Sequence, residues 1–139
     1  MPGREVLTLT LAAALVCGAA AGCSGEDTSK LTVRLLVRDI NLRAEGVDCA
    51  GTGPYQHVHN RSAFTVLDGA GKRLASGELP PGRSVGTFEE DLGVEKVPTY
   101  CEFAVPVEVA DRAAYRLVVE GKAPIDLKKD AGNLVAVVP

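Results

Sequence analysis

The sequence predicts an all-β fold, a sandwich of two antiparallel sheets closed by one disulfide. Three observations predict it. Apolar residues recur with a period of two, not 3.6, along segments 31–38 and 101–109, the mark of strands with one face in a core and the other in water. Glycine and proline clusters separate such segments at short intervals, as in sheets of short strands. Two cysteines, Cys49 and Cys101, remain beyond an apolar leader that contains Cys17 and ends at Cys23.

Residues 1–22 read as that leader. Arg4 supplies a basic amino end, Leu7 to Gly22 is apolar or small apart from Thr8 and Thr10, and Ser24, Gly25, Glu26 and Asp27 follow, which is the layout of a secretory signal. A membrane span needs about 20 consecutive apolar residues. Val6 to Ala21 is shorter, rich in Ala and Gly, and interrupted by the two threonines. The Ala20-Ala21-Gly22-Cys23 junction resembles a bacterial lipobox. That resemblance implies a lipoprotein: Cys23 carries diacylglycerol, becomes the first mature residue, and bears palmitate-type acyl chains that hold the protein on the extracytoplasmic face of the cell membrane. A plain secretory signal cut near Ala21 is the rival reading. The expected organisation is a signal peptide over 1–22, a tether over 23–29 and a β-sandwich domain over 30–139. Six or seven tether residues hold the domain within about 20 Å of the membrane surface.

Outside the cytoplasm, the pair Cys49 and Cys101 reads as a disulfide. Closing a loop of roughly 50 residues contributes on the order of 4 kcal/mol in the chain-entropy model, a large share of a small domain's stability. Two thiolates binding a metal are the alternative, and no CxxC spacing favours it.

Cleavage after residue 22 of 139 leaves 117 residues, one domain's worth. Arg4 and Glu5 leave together, so the formal net charge stays at −3. With no basic stripe, no Trp, three Tyr and three Phe, nucleic acid is excluded as a partner. The expected partners are the membrane, through the N-terminal lipid, and an envelope protein or small ligand.

The strands follow in order. Leu31, Val33, Leu35 and Val37 alternate with Thr32, Arg34, Leu36 and Arg38. Phe64 and Val66 share a face of the next strand, which runs into Asp68-Gly69-Ala70-Gly71, residues suited to positive φ in a hairpin loop. The return strand is Lys72 to Gly77, stopped by Pro80-Pro81-Gly82. After a polar stretch, Cys101, Phe103, Val105, Val107 and Val109 face one way, Glu102 and Glu108 the other. Pro106 on the outward face demands an edge or a bulge. Tyr115, Leu117 and Val119 make a strand, Ile125 and Leu127 a short one, and Leu134 to Val138 a nearly all-apolar last one.

Asp111-Arg112-Ala113-Ala114-Tyr115-Arg116-Leu117 resembles the tyrosine corner of immunoglobulin-like domains, in which the Tyr hydroxyl bonds back to the upstream backbone. The resemblance implies an immunoglobulin-like sandwich with Asp111 and Tyr115 as its structural corner. Leu117 stands where an inter-sheet cysteine is usual, and no core Trp is present. More widely, Cys49-Ala50-Gly51-Thr52-Gly53-Pro54-Tyr55, Phe64-Thr65-Val66-Leu67-Asp68, Gly77-Glu78-Leu79, Cys101-Glu102-Phe103 and Tyr115-Arg116-Leu117-Val118-Val119 together resemble a group of small actinobacterial lipoproteins and secreted domains. That group carries no assigned activity, so the resemblance implies a fold and an address and no site. His57-Val58-His59 departs from it.

This His pair is the one constellation that invites chemistry. Residues two apart on an extended strand share a face, so His57 and His59 would offer two imidazoles to zinc or copper, with Tyr55, Asp48 or Glu45 near in sequence. The favoured reading is nevertheless two solvent-exposed histidines on a loop, with metal binding as the alternative. No third ligand is identifiable, and the single Met is the initiator, so no thioether copper site exists. Ser62 or Ser84 beside either His is a conceivable hydrolase pair, without a Gly-x-Ser-x-Gly elbow. Glu89-Glu90-Asp91, with Glu95, lacks the spacing and turn Gly of a calcium loop and reads as solvated. Lys128-Lys129 reads as part of a turn, able to face anionic headgroups. Asn60-Arg61-Ser62 matches a glycosylation sequon without meaning in a bacterial lipoprotein. The expectation is a lipid-anchored binding or structural module of the cell envelope, not an enzyme and without cofactor. A metal-binding lipoprotein using His57 and His59 is the alternative, and a small hydrolase the remote one.

Overall fold

A computed structural model describes residues 27–139. The expected leader, Cys23 and most of the tether lie outside them. Nine strands account for the domain: β1 (Thr28–Arg43), β2 (Asp48–Cys49), β3 (Ala63–Asp68), β4 (Arg73–Glu78), β5 (Gly82–Gly86), β6 (Val97–Ala110), β7 (Tyr115–Val119), β8 (Ile125–Asp130) and β9 (Asn133–Val138). A single 3-10 turn, Gly53–Tyr55, interrupts them. No helix among the described residues is long and apolar enough to cross a membrane.

The period-two segments form strands as their sequences require. Val33, Leu35 and Val37 are fully buried, as are Cys101, Phe103 and Val109, whereas Arg34 and Glu102 on the outer face form an ion pair at 2.5 Å. Each large apolar side chain so buried contributes on the order of 1.5–3 kcal/mol. β1 begins at Thr28, so the last two residues of the expected tether are already paired, Thr28 with Ala110 and Ser29 with Val109.

The strand order is β2-β5-β6-β1-β9-β8-β7-β3-β4, one curled mixed sheet. This corrects the expectation of purely antiparallel pairing: β9 lies parallel to β1, with Thr32 opposite Asn133 and Val37 opposite Val138. The curl passes through β8, whose first half pairs with β7 (Leu127 with Tyr115) and whose second half pairs with β9 (Lys128 with Val135). One apolar cluster results, with Leu35, Phe103 and Leu134 from one arm of the curl and Phe64, Val66 and Leu117 from the other.

Pro106 sits at an edge. Beyond Glu102 the strand β6 has lost its β5 partner. Its neighbour Thr32, opposite Pro106 on β1, donates its N–H to Gly132 O at 3.2 Å on the far side. The Thr32–Pro106 pair therefore exchanges no ladder bond, and the missing proline N–H is on the solvent side, where it leaves no gap.

At its far end β1 bulges between Arg38 and Leu42. Asp39 turns inward and organises the bulge, accepting from the Asn41 N–H at 2.8 Å and from Arg43 Nε. The same step throws Ile40 outward, 76% exposed.

Candidate functional site

The expected cysteine pair forms the bridge Cys49–Cys101, with Cα atoms 5.8 Å apart. It reaches from edge strand β2 across β5 to β6. The strand it crosses carries Gly82 opposite Cys49. Any side chain there would collide with Cys101 Sγ, Cys49 O and the Phe103 ring, at 2.5, 2.7 and 2.8 Å from its first carbon. Glycine at this position is thus a packing requirement, distinct from any need for positive φ.

The histidines are on a folded loop, as the favoured reading has it, and not on a shared strand face; His59 is exposed and His57 half-buried. Gly51 N–H donates to Val58 O at 2.7 Å and Val58 N–H to Tyr55 O at 2.9 Å, closing residues 51–58 into a compact turn around the 3-10 segment. A methyl on Gly51 would lie 2.0 Å from Tyr55 O, so the closure depends on glycine. Val58 is fully buried, an apolar plug between the two imidazoles. His57 stands with its ring centroid 6.1 Å from that of Tyr55. Together with Pro54, Lys122 and Pro124 the two rings line an open groove of about 600 Å³. His59 points elsewhere, its Nδ1 2.8 Å from Asn60 O.

The acids nearest in sequence do not join the imidazoles. Asp48 pairs with Arg83 at 3.2 Å, and Glu45 lies over Gly86. Among the described residues no group of three or more His, Cys, Asp or Glu is placed to hold a metal ion. The serines considered as nucleophiles are structural. Ser62 Oγ donates to His57 O at 2.6 Å and accepts the His59 N–H; Ser84 Oγ donates to Ala44 O at 2.6 Å and accepts the Val47 N–H. Both hydroxyls are buried and spent on main chain, with no imidazole as partner.

At the tyrosine corner, Tyr115 Oη donates to Ala110 O and accepts from the Arg112 N–H, each at 2.9 Å. Asp111 pairs with Lys129 at 2.5 Å. This pairing holds the Asp111 carboxyl below its ordinary range and raises the Lys129 ammonium. Lys129 Nζ also stands 5.4 Å from the Tyr115 ring centroid, in cation–π range. The expectation of a lysine turn is corrected here: Lys128 and Lys129 belong to β8, and Lys129 is engaged at the corner. Asp68, at the end of β3, ties the corner to the neighbouring hairpin. It accepts the Lys72 and Ala70 N–H groups at 2.9 Å and Arg112 Nε at 3.2 Å. These bonds, that from Lys72 first, hold its carboxyl below the ordinary value.

The feature that sequence reasoning passed over is the end of the domain where β1 finishes and β6 begins. Arg43 pairs with Val97 there. A cleft of about 300 Å³ is lined by Glu45, Glu89, Glu90, Asp91 and Glu95, and between these carboxylates by Phe88, Leu92 and Val94. All three apolar side chains are exposed, Val94 at 60%. Segment 88–95 has no strand or helix period, so it reads as a solvated acidic loop. The legible signal was three large apolar residues spaced through it. Compared with protein-family models, with curated proteins and with solved structures, the chain matches none.

Proposed function

We propose that this protein is a lipid-anchored module on the extracytoplasmic face of the cell membrane that acts by binding and carries out no catalysis. The observation that carries the reading is the Cys49–Cys101 bridge. A disulfide spanning three strands of a small domain persists in an oxidising compartment, and the Ala20-Ala21-Gly22-Cys23 junction supplies both the export signal and the thiol for a lipid. Ser62 and Ser84, the hydroxyls that the hydrolase reading paired with the histidines, are committed to the main chain. We further read the curled sheet as an immunoglobulin-like sandwich of two layers. The hydroxyl bonds of Tyr115 and the change of partner along β8 support that reading.

The test is metabolic labelling of the full chain with a palmitate analogue, followed by membrane fractionation. Wild type should take up label and sediment with membranes. Cys23→Ala should be unlabelled and accumulate as uncleaved or mis-cleaved precursor. Equal label in both forms would sink the anchor.

A further inference from the structure

Large apolar side chains left in water are informative when they gather in one place. Among the described residues, seven are exposed, and six of these fall in two short segments: Ile40, Leu42 and Val47 in one, Phe88, Leu92 and Val94 in the other. The fold brings the two segments together. Leu42 lies opposite Pro98 and Arg43 opposite Val97, so the outward end of β1 stands beside the loop that leads into β6. Thr87 fixes the start of that loop, its N–H donating to Pro98 O at 3.1 Å, and Asp91 Oδ1 accepts the Gly93 N–H at 2.8 Å to shape its middle.

The charge lining the cleft is of one sign, with the exposed Lys96 and the Asp39-paired Arg43 standing outside the lining. Glu45, Glu89, Glu90, Asp91 and Glu95 border the cleft and no cation lines it. Among the described residues none of the five has an ion-pair partner, in contrast with Asp39, Asp68, Glu102 and Asp111, each of which has one. Five carboxylates without an ion pair are thus gathered at one end of the domain.

Position adds to the case. The β1–β6 ladder runs from Thr28 opposite Ala110 to Arg43 opposite Val97. At the ordinary rise of a strand its 16 residues cover on the order of 50 Å. The acid-bordered apolar end is thus at the opposite end of β1 from Thr28.

We infer that the end of the domain formed by the tip of β1 and the 87–96 loop is a docking surface for a basic amphipathic segment of another protein. The inference deepens the binding-module reading and rests on it, though it is independent of the lipid on Cys23. Three occupants compete for such a surface, and the charges choose among them. A second copy would set five carboxylates against five in a two-fold contact, and like charges oppose that pairing. An anionic bilayer would repel the same border. A segment with apolar anchors and flanking Lys or Arg satisfies both features, the apolar side chains filling the cleft and the cations neutralising the rim.

The experiment measures binding of a fluorescent amphipathic peptide of leucine and lysine to the full chain, purified in a nonionic detergent, by anisotropy over a salt series. The double variant Phe88→Ser with Leu92→Ser, which keeps the net charge, should weaken binding about tenfold, the scale of losing a central anchor. The triple variant Glu89→Gln, Glu90→Gln, Glu95→Gln should also weaken it and flatten its salt dependence. A lysine–serine peptide should bind about tenfold more weakly than the leucine–lysine peptide. All altered side chains are exposed, and thermal melts will show whether each variant keeps its fold; should the serine pair unfold, the glutamine set and the peptide controls still decide. Equal affinity of variants and wild type, equal binding of the lysine–serine or a leucine–glutamate peptide, self-association lost in the serine variant without peptide binding, or flotation with anionic vesicles through this end would each overturn the inference. Failure of acyl labelling would remove the anchor and leave this result standing.

Discussion

Gly82 and Cys101 occupy adjoining space: a methyl group on Gly82 would lie 2.5 Å from Cys101 Sγ, beneath the bridge to Cys49. The bridge and the glycine are therefore one packing unit. Gly82→Ala should cost about 1–3 kcal/mol, the usual range for overpacking, since two of the three atoms in its way belong to backbone and a buried ring. Replacing both cysteines by Ala should cost roughly 2–5 kcal/mol. In that background the Gly82→Ala penalty should shrink, because the sulfur is gone, without vanishing, because Cys49 O and Phe103 remain. Denaturant midpoints of the four proteins measure this coupling. Additive penalties would show that glycine and bridge are independent, and two free thiols by non-reducing mass analysis would remove the premise.

Tyr115 bonds with both ends of its corner, donating to Ala110 O and accepting from Arg112 N. Tyr115→Phe removes both at once and leaves a carbonyl in a buried residue without its donor. A loss of about 1–3 kcal/mol is expected, read from the unfolding midpoint. A change below about 0.5 kcal/mol would mean the ring is held by area alone.

Asp68 links acid stability to one carboxylate. Its folded-state pKa lies below the ordinary 3.8, chiefly through the Lys72 N–H, with Arg112 and Ala70 adding. A depressed carboxylate contributes stability that is fully present above the unfolded-state pKa and is lost as pH falls through the folded one. The domain should therefore keep its melting temperature down to about pH 5 and lose it progressively below about pH 4. Asp68→Asn should melt lower at pH 7 and show a flatter decline in acid. Asp111, depressed by Lys129, keeps part of the decline in the variant. Parallel pH curves for variant and wild type would contradict the assignment to Asp68.

His57 and His59 are the test of the metal alternative. With Val58 buried between them and His59 beside Asn60 O, they present two separated imidazoles, whereas zinc sites take at least three protein ligands. The protein purified without a His tag should carry no stoichiometric metal by elemental analysis. His57→Ala with His59→Ala should shift stability by less than about 0.5 kcal/mol, with or without zinc. One ion per chain, lost in the double variant, would restore the metal reading.

What could be read from the sequence follows from how each segment is buried. β1, β3, β6 and β7 each bury one face with apolar side chains, so alternation exposes them: Val33-Leu35-Val37, Phe64-Val66, Phe103 to Val109, Leu117-Val119. β5 escaped because its buried positions are Gly82 and Ser84, a residue with no side chain and one whose hydroxyl is satisfied by Ala44 O and Val47 N. Hydrophobic period cannot register either. The parallel pairing of β9 with β1 is a contact between the two ends of the domain, and nothing local encodes it. The bridge was legible because reading Cys17 and Cys23 as parts of a leader and its junction leaves Cys49 and Cys101 as a pair. The loop that carries the His pair was legible as the favoured reading; the metal alternative needed the same-face geometry of a strand, and Gly51 and Ser62 fold this segment into a loop. Phe88, Leu92 and Val94 escaped for a different reason: the cleft they line is completed by Glu45, some forty residues away in sequence, across a register no pattern displays.

The β8–β9 turn carries a strain that substitution can relieve. Ala131 and Gly132 are its two central residues, between the paired Asp130 and Asn133, with φ of 43° and 85°. Positive φ at both central positions is a type I′ turn, whose preferred pair is Asn-Gly. For alanine the left-handed region costs roughly 1–2 kcal/mol. The turn does more than join two strands, because Gly132 O accepts the Thr32 N–H at 3.2 Å and so fixes where β9 enters its parallel ladder with β1. Ala131→Asn should stabilise the domain by about 1 kcal/mol, since Asn tolerates this conformation. Ala131→Gly should gain less, because glycine gives back roughly 0.5–1 kcal/mol through the entropy of the unfolded chain. Ala131→Val, β-branched and ill-suited to positive φ, should destabilise. Denaturant midpoints ordered Asn, Gly, Ala, Val from high to low are the expected outcome; a wild-type midpoint above both the Asn and Gly variants would show that the turn has a different conformation in solution.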